Sequence, residues 1–171
     1  MTGSRKAQST GQSFEKEIIA TNEKYRMERV GVISKIPTDV RPIPSGKSIR
    51  WVPAGKTGCD FVGHYKGIPV AIESKSTANK TSFQLFTHNK EMIQAHQLKF
   101  LEEFEASGGK GYVFIKFNPI GRFFLVPVTV YLSLDKDARK TGKKSIPIKK
   151  FEEHEVKITD YLKGIKKGIP K

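Results

Sequence analysis

A single cysteine, Cys59, and a single tryptophan, Trp51, stand in a chain of 171 residues. One cysteine excludes an intrachain disulfide framework and suits a reducing cytoplasm. No apolar run is long enough to span a bilayer, and no basic amphipathic helix carries bulky apolar anchors. The opening "MTGSRKAQSTGQ" lacks the apolar centre of a signal peptide. A membrane partner is therefore not expected. His64, His88, His96 and His154 are too scattered to join Cys59 in a zinc site. Gly-rich phosphate loops are missing, so no nucleotide cofactor is expected. Acids are scarce as well: 17 Asp plus Glu face 31 Lys plus Arg, a formal net charge of +14. Such an excess favours a polyanionic partner and, with a membrane set aside, that partner is nucleic acid.

What is present fits one domain with a proper core. Residues 1–12, with Arg5 and Lys6, read as a flexible basic N-terminal arm. Ser13 can cap a helix in which Phe14, Ile18 and Tyr25 recur at helical spacing to about Arg29. "VGVISKI" reads as a first strand, Val30 to Ile36. Residues 37–56 then hold four prolines (Pro37, Pro42, Pro44, Pro53) among Arg41, Lys47, Arg50, Trp51 and Lys56. Proline at that density opposes a helix or a central strand, so a protruding basic arm is expected. "HNKEMIQAHQLKFLEEFEASGG" reads as one long helix with Ile93, Gln97, Phe100, Leu101 and Phe104 on a stripe. "GYVFIKF" and "RFFLVPV" are two strands joined by a turn at Asn118-Pro119-Ile120-Gly121. The charge run Arg139 to Lys150, with Lys143 and Lys144, is a solvated face or a phosphate contact. A basic tail, residues 163–171, closes a single domain spanning 13–162. The order of elements implies an α/β or α+β domain with a mixed sheet.

The informative stretch is "TGCDFVGHYKGIPVAIESKSTANKTSF", Thr57 to Phe83. With Lys66-Gly67 as a two-residue hairpin turn, Tyr65 faces Ile68 and Asp60 lies across from Glu73. Alternation puts Phe61, Val70 and Ile72 on one face and Asp60, Glu73 and Lys75 on the other. Facing carboxylates repel. A solvated strand face with a surface ion pair is one explanation. The other is a divalent cation between the acids: hard oxygen ligands with open positions suit Mg²⁺, with Mn²⁺ able to substitute. Lys75 would then orient or deprotonate an attacking water, or neutralise charge at a phosphate. Asn79-Lys80-Thr81-Ser82, just beyond, is a polar loop or a phosphate contact.

The spacing Asp, twelve residues, Glu, one residue, Lys is similar to the core of the PD-(D/E)xK nuclease superfamily. "KSTANKTSFQL" resembles the stretch after the catalytic strand in RecU-type Holliday junction resolvases. "GQSFEKEIIATNEKY", "HYKG", "HQLKFLEEFEASGGKGYVFIKF" and "GKKSIPIKKFEE" line up in the same order, so the resemblance covers about residues 10 to 155. It implies a restriction-endonuclease-like mixed central sheet flanked by helices, with a stalk at residues 37–56. It implies Asp60 and Glu73 as metal ligands joined by Glu15, Lys75 beside the attacking water, and Gln97 reaching the site. It also implies a homodimer that nicks a four-way DNA junction at symmetric points. The residues themselves lend some support: Glu15 stands near a helix start, which favours an anion, and Gln97 interrupts an apolar stripe. Contact with DNA would come from Arg5, Lys6, Arg41, Lys47, Arg50, Trp51, Lys56, Lys80, Thr81, Lys143 and Lys144, with Trp51 stacking on a base. Gly58 and Cys59 stand where that family tends to carry threonines. Another nuclease of the superfamily, or an architectural DNA binder without catalysis, remains the alternative.

Overall fold

The chain begins with helix α1 (Gly3–Met27). It starts ten residues ahead of Ser13 because Arg5, Lys6, Ala7 and Gln8 are all good helix formers. The segment expected as a flexible arm thus continues the helix, and Ser13 lies inside it rather than at its cap. The computed structural model describes residues 3–37, 40–46, 48–53, 55 and 58–165. The basic tail from 166 onward lies outside the described residues.

After α1, Arg29 takes a left-handed φ of 56° and turns the chain into β1 (Gly31–Lys35). β2 (Val40–Ser45) and β3 (Ser48–Pro53) pair only with each other, as a ribbon turned at Gly46. The expected arm is therefore a two-stranded ribbon apart from the main sheet. Its register, Ile43 opposite Arg50, lets strand form despite the prolines. Backbone groups alternate in direction, so if the 41–52, 43–50 and 45–48 pairs bond inward, Pro42, Pro44 and Pro53 turn their nitrogens outward.

β4 (Phe61–Tyr65) and β5 (Ile68–Thr77) form the hairpin expected from Lys66-Gly67. Lys66 and Gly67 have φ of 50° and 74°, and the pairs run from Tyr65–Ile68 to Phe61–Ile72. Beyond β5 come three short strands, β6 (Ser82–Gln84), β7 (Phe86–Thr87) and β8 (Lys90–Glu91), then helix α2 (Ala95–Ala106). The long helix expected from His88 is thus shorter: His88 and Asn89, with φ of 48° and 61°, form the turn between β7 and β8. β9 (Lys110–Phe117) and β10 (Arg122–Pro127) follow, joined by a 3-10 turn at Asn118–Ile120. Helix α3 (Val128–Lys140), β11 (Ser145–Pro147) and β12 (Glu155–Val156) come next, with 3-10 turns at Ile148–His154 and Ile158–Asp160.

The central sheet has six strands in the order β1-β4-β5-β9-β10-β12. Only β5 and β9 are parallel, and α2 makes the crossover between them. α1 covers one face, packing Phe14, Ile18 and Tyr25 against Phe61, Val70, Ile72 and Phe114. α2 and α3 cover the other, where Leu101, Val128 and Tyr131 meet Ala71, Val113 and Ile115. Each large apolar side chain so buried contributes roughly 1.5–3 kcal/mol. The molecule is thus a mixed central sheet flanked by helices, the expected fold class. Among the described residues no helix is long and apolar enough to cross a membrane.

Candidate active site

β5 is covered by strands on both edges and by helices on both faces, which is why "PVAIE" can be nearly all apolar. The alternation that buries Ala71 under α2 carries Glu73 to the same place two residues on. Glu73 is 0% exposed. Its Oε1 accepts from Gln97 Nε2 at 2.7 Å and from Lys75 Nζ at 2.6 Å. Its Oε2 is buried with no partner. Burial pushes the Glu73 carboxyl up to about 7; the Asp60 charge adds to the rise, while Lys75 and Gln97 oppose it.

Gln97 is oriented from its own helix. Its Oε1 accepts the Gln94 N–H at 3.0 Å, which forces the amide nitrogen toward Glu73. Gln94 is in turn tied to the Glu91 carbonyl through its Nε2 at 2.7 Å. The amide that breaks the apolar stripe of α2 is satisfied on both sides, as burial demands.

Asp60 stands one residue before β4, where the ladder ends. Its N–H donates to the Ile72 carbonyl at 3.1 Å and its carbonyl accepts from Ile36 N–H at 2.7 Å. Its Oδ2 takes both the Ser74 N–H at 2.8 Å and the Ser74 hydroxyl at 2.6 Å. Asp60 therefore holds the strand end by capping Ser74 rather than facing Glu73 as a ladder partner. Ser74 escaped the sequence reasoning, although a serine between an acid and a lysine on a buried strand needs a partner, and that was a usable signal.

Two smaller features fix the approach to Asp60. Gly58 lies so close to Phe100 of α2 that an added Cβ would stand 2.4 Å from its ring. Cys59 is fully buried, donates to the Phe61 carbonyl at 3.4 Å, and has its thiol pushed up by burial to about 12. It is a packing residue, not a nucleophile. The glycine and cysteine thus let α2 settle close to the sheet, which brings Gln97 onto Glu73.

Glu15 is not part of this cluster. It is ion-paired with Lys35, the last residue of β1, which sits in register with Phe61. Among the described residues no three His, Cys, Asp or Glu side chains gather closely enough to hold a metal ion. The acidic set is the pair Asp60 and Glu73. Two hard carboxylates, one with an orphaned buried oxygen, are the donors that Mg²⁺ or Mn²⁺ takes while keeping other positions for water and phosphate.

The expected DNA contacts divide. β6 and β11 pair, Ser82 with Pro147 and Gln84 with Ser145. Ile148 N–H donates to the Thr81 carbonyl and Leu85 N–H to the Lys144 carbonyl. That small ribbon gathers Lys80, Thr81, Lys143 and Lys144, all exposed, just beyond the end of β5. Arg50 is exposed on β3. Lys47 and Lys56 lie outside the described residues. Arg5, Lys6, Arg41 and Trp51 are placed on α1, β2 and β3, but their side chains lie outside those described.

Fold and site together define a mixed-sheet α/β protein with an acid–acid–lysine centre on its middle strands, set in a strongly cationic chain. A family model described as "Recombination protein U" matches residues 9–167, and the chain belongs to that family. It is 30% identical over 153 residues to the Holliday junction resolvase RecU of Geobacillus sp. (strain WCH70), covering 84% of this chain and 73% of that protein. The protein of the same name from Pediococcus pentosaceus is 29% identical over 173 residues, covering 93% and 84%. A solved structure of Hjc, a Holliday junction resolvase from Archaeoglobus fulgidus, matches 71% of this chain and 75% of its own with a TM-score of 0.44 and 18% identity.

Proposed function

We propose that this protein is an Mg²⁺-dependent endonuclease that cuts four-way DNA junctions, working as a homodimer in the cytoplasm of a bacterial or phage-infected cell. The observation that carries the reading is the Glu73 carboxylate. It is buried, unpartnered at Oε2, and pushed toward neutrality with the Asp60 charge nearby, all in a chain of net charge +14. Lys75 meets that carboxylate at Oε1 only, which leaves Oε2 a buried acceptor open to a cation.

Asp60 and Glu73 would hold the cation, which when bound lowers the pKa of water and polarises a phosphodiester. The residues of the chain do the rest. Gln97 and Lys75 pin Oε1 of Glu73, which leaves Oε2 as its free donor. The Ser74 bonds lock Asp60 in place at the strand end. Lys75, whose side chain is 22% exposed, reaches the solvent side, where its ammonium can neutralise a phosphate or move a proton to or from the attacking water. The cationic ribbon of β6 and β11 would hold the backbone of the DNA without reading sequence. Two copies of the centre would give paired symmetric nicks.

The test is a labelled four-way junction with purified protein and Mg²⁺ or Mn²⁺. Nicking at two opposed strands is expected, and Asp60→Asn or Glu73→Gln should reduce it at least 100-fold with junction binding kept. Undiminished nicking by either variant would sink the reading.

A further inference from the structure

Between the turn of β7 and β8 and the start of β11 lies a cavity of about 410 Å³, lined by Phe86, His88, Asn89 and Lys144. None of these side chains belongs to the Glu73 centre. Phe86 is half-buried while His88, Asn89 and Lys144 are exposed, so the cavity is an open groove at the surface rather than an enclosed pocket. Its walls are fixed by backbone bonds: Leu85 N–H to the Lys144 carbonyl at 2.9 Å, and Met92 N–H to the Leu85 carbonyl at 2.8 Å.

The lining is chemically particular. Phe86 is half-buried, and the Arg139 guanidinium sits 5.0 Å from its ring centroid. Arg139 is itself clamped, by Asp135 at 2.8 and 2.9 Å and by Glu91 at 3.1 Å. Its charge is thus neutralised, and it serves to hold the Phe86 ring in place. Lys144 supplies a cation at the same cavity. His88 and Asn89 both take left-handed φ, where Asn-Gly is the less strained choice for such a turn. What the more strained pair provides is an imidazole and an amide at the rim, the groups that bond to a base edge. A flat aromatic, a cation and a rim of donors and acceptors match one nucleotide: base, phosphate and base edge.

We propose that this cavity takes a single unstacked nucleotide of the bound DNA, its base against Phe86, its phosphate on Lys144 and its edge read by Asn89 and His88. The inference rests on the DNA-cleaving reading above and deepens it, because it gives the enzyme a way to prefer some junction sequences over others. β8 runs through Gln94, by the Gln94–Glu91 bond, into the helix that carries Gln97. The base read in the cavity would therefore sit a fixed distance along the strand from the bond cut at Glu73.

The experiment uses the full chain and four-way junctions carrying 2-aminopurine at successive positions near the crossover, in Ca²⁺ so that binding proceeds without turnover. One position should brighten on binding as the base leaves its stack, and Phe86→Leu should remove that signal while weakening binding roughly 5- to 100-fold. In Mg²⁺, Asn89→Gly should leave the protein folded, since glycine suits that φ. It should also level the rates among junction sequences, losing roughly 5- to 100-fold of discrimination. No position with a Phe86-dependent signal, together with unchanged relative rates in Asn89→Gly, overturns the inference. A protein that binds but does not nick overturns the nuclease reading alone, and the fluorescence then decides this one. A protein that binds no junction overturns both.

Discussion

Glu73 is an acid whose folded-state pKa is raised, so it favours the folded state below its unfolded value of 4.5 and that contribution is lost as pH rises through about 7. Metal-free protein should therefore gain stability as the pH falls from 8 to 5. Glu73→Gln should raise the melting temperature at pH 8, by a free energy on the order of 1–3 kcal/mol, and do little at pH 5. Thermal scans at the two pH values in EDTA check this, and equal shifts at both would contradict it. Gln97 bonds Glu73, so in the proposed mechanism it positions that carboxylate rather than touching DNA. Gln97→Leu should lower nicking about 10- to 100-fold, as loss of a ligand's hydrogen-bond partner typically does, with junction affinity unchanged. Ser74→Ala removes a hydroxyl that anchors Asp60 and should cost about 1 kcal/mol in stability along with some nicking.

Among the elements, the β4–β5 hairpin carries the plainest link from sequence to site. Its register follows from two turn residues, because a primed turn admits one pairing and every later side chain inherits its face. Lys66, at φ of 50°, bears local strain that Asn tolerates better. Lys66→Asn should stabilise the fold by about 0.5 kcal/mol without touching activity, read by urea midpoint. The hairpin register set Glu73 and Lys75 on one face, whereas Asp60 leaves the ladder to cap Ser74. Gln97 on α2 was legible from the amide in its apolar stripe and from the ordered motifs. The start of α2 was not. Ile93 is buried in the same core as Leu101, so its apolar character satisfied a helix stripe and a loop anchor alike. The turn at His88 and Asn89 lacks the glycine that would have announced it. α3 was hidden by β-prone residues, "VTVYL", whose packing of Val128 and Tyr131 onto the sheet overrides propensity. The Glu15–Lys35 pair was equally out of reach, since it depends on where α1 lies over β1.

On the scale of the whole molecule, charge and architecture separate two tasks. The sheet and its helices carry the acidic centre, and the β2–β3 ribbon stands outside that sheet. Replacing residues 40–53 with a short Gly-Ser linker should leave the melting temperature within a few degrees. The same deletion should weaken junction binding and flatten its dependence on salt, by about one unit of slope for each phosphate no longer neutralised. A large drop in stability would mean instead that the ribbon is part of the core. If the 41–52, 43–50 and 45–48 pairs bond inward, the prolines of the ribbon carry a further consequence. Under that pairing a strand arriving at the β2 flank would meet no donor at Pro42 or Pro44, and one at the β3 flank none at Pro53. Growth of the ribbon into a larger sheet is thereby disfavoured. Contacts made by this ribbon with another chain would then fall to its side chains rather than to a shared ladder.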